Sequence, residues 1–227
     1  MAELILALDL PDGATALRLL DSLPTVKWVK VGSYLMTRSG PDLVDRLSDR
    51  GLSVFLDLKW HDIPHTVAGA VTAARESGVR LVTVHTLGGM EMMNAAAEAS
   101  GPGLAVVGVT VLTSHTAVSY TRAVGRADEL DLGAEVVRQG RNAIEAGLDG
   151  VVASSAEVTP LREALGARPF IVVPGIRLPG GATDDQSRVA GPATAIAAGA
   201  SHLVIGRAVL RASDPAAAWA MVEAEAS

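Results

Sequence analysis

The sequence predicts an α/β protein of a single domain, a (β/α)8 TIM barrel spanning residues 1–227, and three observations lead there. Short apolar runs recur eight times, each is followed by a helix-compatible segment, and no linker or low-complexity tract interrupts the alternation. Eight such units in 227 residues match a closed barrel rather than an open doubly wound sheet.

The eight runs fall at 3–9, 27–32, 53–58, 80–86, 104–110, 149–154, 169–174 and 201–206. Each is rich in Val, Leu, Ile or Ala and too short for a core helix, which fits strands buried on both faces of a parallel sheet. The first is followed by a helical pattern at 14–20 and the second by one at 41–50. The third leads into 64–77, the fourth into 90–99 and the fifth into 132–146. The last three lead into 156–165, 192–198 and 215–224. Pro41, Pro64, Pro192 and Pro215 open four of these segments, where proline's missing N–H is harmless. A dinucleotide-binding sheet would need Gly-x-Gly-x-x-Gly after the first strand, but that strand ends Asp9-Leu-Pro-Asp-Gly13.

Composition narrows the function classes. The chain is 49% hydrophobic but only 3% aromatic, with 23 glycines, so its core is built from small aliphatic residues around tight turns. A formal net charge of -6 and the lack of any Lys/Arg-rich run argue against nucleic acid as a partner. Having no cysteine excludes disulfides, thiolate metal sites and thiol nucleophiles, and suits a reducing cytosol. The start has no basic segment before its apolar run, and no run approaches the roughly 20 apolar residues of a membrane span. A cytoplasmic, soluble protein is expected. Of the 19 basic residues only Lys27, Lys30 and Lys59 are lysines, so a lysine kept here marks a place that wants a compact, deprotonatable ammonium.

In such barrels chemistry sits where the strands end at their C-terminal side. The residues there form a polar ring: Asp9, Lys30, Asp57 with Lys59, His85, Thr110 to Ser114, Ser154, Pro174 to Arg177, and Gly206 with Arg207. Asp57 and Lys59 are two apart, so strand alternation is expected to point both toward the mouth. With Lys30 and the following Asp62 they would form an array of alternating ammoniums and carboxylates, each charge favouring its neighbour's ionised form. Gathering four charges is a poor route to stability, which favours function over a salt-bridge lid. Across the mouth, Pro174-Gly-Ile-Arg177 and Gly206-Arg207 suit an anion: arginine forks, with Gly206 allowing close backbone approach. The Gly/Thr/Asp-rich loop 178–186 between them is expected to close over a ligand. His61 and His65 are spaced like metal ligands, but Pro64 between them spoils a continuous helical face. No metal site is expected.

Asp57-x-Lys59-x-x-Asp62-Ile-Pro-x-Thr66 resembles the signature of the orotidine 5′-phosphate decarboxylase family, and the similarity runs from Ile5 to Asp214. Leu6-Ala-Leu-Asp9, Val29-Lys-Val-Gly32, Thr83-Val-His-Thr-Leu-Gly-Gly89, Val111-Leu-Thr-Ser114, Pro174-Gly-Ile-Arg177 with Gln186, and Val204-Ile-Gly-Arg207 match as well. His65 departs from the asparagine common in that family. The resemblance implies a cofactor-free decarboxylation of orotidine 5′-monophosphate, with Lys30, Asp57, Lys59 and Asp62 as the catalytic tetrad and Lys59 as proton donor to C6. It further implies that Asp9 and Thr66 hold ribose hydroxyls and that Thr113 and Ser114 lie near the base. Pro174 belongs to the same substrate wall, and Arg177, Gln186, Gly206 and Arg207 hold the phosphate. A homodimer is implied, each site borrowing Asp62 and Thr66 from its partner. Two other readings share the scaffold: a metal-dependent sugar-phosphate decarboxylase or aldolase, and a catalytically silent phosphate-ligand binding protein. Dependence on a divalent ion would mark the first, and binding without turnover the second.

Overall fold

The structure, a computed structural model, describes residues 2–128, 130–178 and 190–227. All eight apolar runs form strands: β1 (Glu3–Ala7), β2 (Trp28–Gly32), β3 (Ser53–Trp60), β4 (Leu81–His85), β5 (Ala105–Val109), β6 (Gly150–Val152), β7 (Phe170–Pro174) and β8 (His202–Ile205). Each pairs in parallel with the next, and β8 pairs with β1, so the sheet closes. The barrel read from the sequence is the barrel observed.

The helices are α1 (Gly13–Asp21), α2 (Ser33–Ser39), α3 (Asp42–Asp49), α4 (Pro64–Glu76), α5 (Gly89–Ser100), α6 (Ala117–Ala123), α7 (Leu132–Glu145), α8 (Val158–Leu165), α9 (Pro192–Ala197), α10 (Arg207–Leu210) and α11 (Pro215–Glu225). The Asp12, Thr116, Asp131 and Asp214 side chains accept from backbone N–H groups in the first turns of α1, α6, α7 and α11. Three short helices, α2, α6 and α10, were not expected from the sequence. Each spans seven residues or fewer, too short for a helical period to stand out. No described helix is long and apolar enough to cross a membrane.

Alternation along the strands sorts the core into two layers. Outward-facing Leu6, Val29, Val54, Val82, Val106, Val151, Ile171 and Leu203 pack against buried helix residues such as Leu17, Leu47, Val71, Met92 and Leu161. Inward-facing Ile5, Ala7, Phe55, Leu81, Val107, Val172 and Val204 fill the barrel. Burying each large aliphatic side chain contributes about 1.5–3 kcal/mol, so both layers matter to stability. At the floor, His202 lies edge-on to Phe170 and Trp28, with ring centroids 4.7 and 5.9 Å away. Gly150 is held to glycine by this interior, because a Cβ there would fall on the backbone of Phe170.

Candidate active site

The same alternation carries each strand from apolar interior to polar rim. Ile5 and Ala7 lead to Asp9 on the inward phase, Trp28 to Lys30, Phe55 to Asp57, Leu81 to Thr83, Val172 to Pro174, and Val204 to Gly206. Asp9, Lys30, Asp57, Lys59, Thr113, Pro174, Arg177, Gly206 and Arg207 line one cavity of about 630 Å³, whose bottom is Ala7, Phe55, Val152, Val172 and Val204. A space of that size, apolar below and charged above, suits a small ligand with anionic groups.

At one side Asp57 joins two lysines. Lys59 Nζ donates to its Oδ1 at 2.7 Å, and Lys30 Nζ lies 3.6 Å from Oδ2 and 3.1 Å from Asp9 Oδ1. The side chains of Lys30 and Asp57 are each only 12% exposed, against 39% for Lys59, so the pair below is shielded and the Lys59 ammonium reaches the open cavity. Burial opposes ionisation of Asp57. The nearby ammoniums of Lys30 and Lys59, with hydrogen bonds from Lys59 and Thr83, outweigh it and hold the carboxyl below its usual range.

Simple pleat alternation is not what joins Asp57 to Lys59. Pairing between β3 and β4 advances from Leu56↔Val82 to Trp60↔Val84, four residues on one strand against two on the other, so β3 bulges between them. Lys59 sits in that bulge at φ 51°, the one non-glycine residue with positive φ among those described. Such a conformation costs about 1–3 kcal/mol and persists only where surroundings impose it. Here the Lys59 N–H donates to Thr83 Oγ1 at 2.8 Å, and the Thr83 hydroxyl donates to Asp57 Oδ1 at 3.1 Å. Thr83 is fully buried.

The opposite rim is cationic. Arg177 follows β7, its N–H donating to the Ala190 carbonyl, while Arg207 opens α10 just after Gly206. A Cβ on Gly206 would meet Ala7 Cβ at 3.5 Å and Asp9 Oδ2 at 3.7 Å, ordinary contacts, so the fold itself leaves room there. Arg211 also lines the cavity, four residues past Arg207 and hence on the same helical face.

Several expected members lie elsewhere. Asp62 makes no ion pair with either lysine; its carboxylate accepts from the Ile63 N–H and the residue is exposed. Within one chain the alternating charges run Asp9, Lys30, Asp57 and Lys59, and Asp62 does not join them. Asp62 and Thr66 border a separate recess of about 280 Å³ that shares Lys59. Ser114 is exposed and does not line the cavity, whereas Thr113 does. Positions 179–186 of the expected closing loop, Gln186 among them, lie outside the described residues. His61 stacks on His85, with centroids 5.4 Å apart, and among the described residues no cluster of His, Asp and Glu could hold a metal. Burial, then the nearby His61 and Lys59, push His85 down to about 4.

Two residues were missed. Thr83 could have been found by following the inward phase of the fourth strand past Leu81, and Arg211 by counting one helical turn from Arg207.

Residues 2–222 match the family model described as Orotidine 5′-phosphate decarboxylase / HUMPS family. The chain belongs to this family. Two relatives named orotidine 5′-phosphate decarboxylase agree along nearly their whole lengths. That of Opitutus terrae is 48% identical, over 98% of this chain and 97% of the relative, and that of Halorhodospira halophila 47%, over 98% and 95%. The crystal structure of orotidine 5′-phosphate decarboxylase from Lactobacillus acidophilus superposes with a TM-score of 0.88 at 33% identity, covering all of both chains. Within the orotidine 5′-phosphate decarboxylase family, then, the lysine-carboxylate array and the arginine rim belong to one cavity at the expected end of the barrel.

Proposed function

We infer that this chain decarboxylates orotidine 5′-monophosphate to uridine 5′-monophosphate and CO2, the last step of de novo pyrimidine nucleotide synthesis. The observation that carries this reading is the Lys30–Asp57–Lys59 array facing Arg177 and Arg207 across one cavity. The family assignment spans two chemistries, and relatives at 46–48% identity named for the decarboxylase favour this one.

The chemistry follows from the residues. As the C6–carboxylate bond breaks, its electron pair stays on C6 in the ring plane and CO2 departs. The Lys59 ammonium, fixed by Asp57, stabilises that developing charge and donates its proton to C6. Solvent then reprotonates the amine. Asp57 orients Lys59 beside the departing carboxylate, and Lys30 holds Asp57 in turn. Asp9 takes a ribose hydroxyl, and Thr113 lies near the base together with Ser114. Arg177, Gln186, Gly206 and Arg207 grip the phosphate, whose binding energy is directed toward the transition state.

Two copies complete each site. Asp62 and Thr66 stand outside the cavity of their own chain, and Tyr34, Ile63, Leu87 and Leu112, following β2, β3, β4 and β5, are exposed apolar residues at the same end of the barrel. A two-fold partner covering that end would bring its own Asp62 and Thr66 to Lys59.

Following loss of orotidine 5′-monophosphate absorbance with purified protein, with and without chelator, tests the reading. Equal turnover in both is expected. A rate lost on chelation and restored by magnesium would favour a sugar-phosphate enzyme, and binding without turnover a silent binder.

A further inference from the structure

We propose that Thr83 is a positioning residue for the reaction: its hydroxyl sets the geometry of the Asp57–Lys59 pair from the neighbouring strand. The proposal rests on the decarboxylase reading for its activity test, and on geometry for its substance. Where β3 departs from the regular ladder, the Lys59 N–H has no strand partner and turns to Thr83 Oγ1 at 2.8 Å. The same oxygen gives its hydrogen to Asp57 Oδ1 at 3.1 Å, the atom that also accepts from Lys59 Nζ at 2.7 Å. One buried hydroxyl therefore closes a ring through both backbone and side chain of the pair.

The donor and acceptor roles are matched. A hydroxyl has one hydrogen and two lone pairs, so Thr83 accepts from Lys59 and donates to the carboxylate without conflict. Valine retains the shape of threonine and removes both bonds, leaving a buried N–H and a carboxylate lone pair unanswered. Lys59 would then lose what holds its left-handed backbone, and a displacement on the order of 1 Å at a reacting group lowers rate about 100-fold. Thr83 itself does not line the ligand cavity, so ligand affinity should change little. Serine keeps the hydroxyl and discards only a methyl group.

The test compares Thr83→Val, Thr83→Ser and wild type. Thr83→Val should lose about 10- to 100-fold in kcat while binding uridine 5′-monophosphate nearly as wild type does. Its acid limb should move to higher pH, because the Thr83 hydrogen bond helps to lower the Asp57 carboxyl. Thr83→Ser should recover most of kcat and the original pH profile. Wild-type kcat and pH profile in Thr83→Val would overturn the proposal, as would a serine variant as impaired as the valine one. Where valine prevents folding, Thr83→Ala carries the same comparison. Carbon-13 NMR titration of the Asp57 carboxyl separates this proposal from the decarboxylase reading. If the wild type leaves orotidine 5′-monophosphate intact, the activity reading fails alone, whereas an Asp57 titration unaltered by loss of the hydroxyl overturns the role of Thr83.

Discussion

Asp57 is the residue on which the site turns, because one shielded carboxylate is shared by Lys30, Lys59 and Thr83. Two of the three lysines in an arginine-rich chain meet there, and their rarity made them visible in the sequence. Thr83 was less visible because a threonine inside an apolar strand reads as an ordinary β-branched core residue; only its phase relative to Leu81 distinguishes it. Arg207 lines the same cavity together with Arg177. Replacing it with alanine should remove about 10- to 100-fold from kcat/KM on the nucleotide, the worth of hydrogen bonds to a charged group. On the phosphate-free nucleoside the loss should be much smaller. Steady-state kinetics on both substrates checks this, and equal losses would refute a phosphate role.

Among elements, the eight strands were legible because inward and outward positions are both apolar over runs of six or seven residues, with the chemistry beginning where each run stops. The bulge in β3 was not legible. No glycine marks it, and the partner that sustains it comes from β4, so local preference for extended backbone at Lys59 is overridden by a tertiary contact. Helix α6 was hidden for a related reason: it is short, and what holds it is a buried network from other elements. Gln139 of α7 donates to Tyr120 Oη at 2.6 Å and accepts from Thr86 Oγ1 at 2.7 Å, while Glu135 accepts from Tyr120, Gln139 and Arg138. That network anchors α6, which follows the connection carrying Thr113.

Burial between Trp28 and Phe170 pushes His202 down to about 4 from 6.5. Between those values the unfolded chain binds a proton that the folded barrel refuses, so stability is present above pH 6.5 and falls as pH drops toward 4. Denaturant titrations should show the wild type losing stability faster than His202→Gln over this range, by at most about 1.4 kcal/mol per pH unit. Parallel curves would contradict a buried neutral imidazole.

At the scale of the molecule, the closed barrel and its reactive end were readable, since strand count, spacing and the polar ring at the strand ends all agree. Asp62 and Thr66 border a recess that shares Lys59 but lie outside the main cavity of their own chain, as expected if they serve a partner's site. We propose that two copies share each site, with Lys59 donating the proton within its own chain and the partner's Asp62 reaching the same cavity. Mixing equal amounts of Lys59→Ala and Asp62→Ala proteins under conditions where subunits exchange tests this most directly. Each parent should be nearly inactive alone. In a mixed dimer one site carries both defects and the other carries neither, and random pairing makes about half of the dimers mixed, so about a quarter of wild-type activity should return. Demonstrated subunit exchange with no recovery of activity would contradict the shared site.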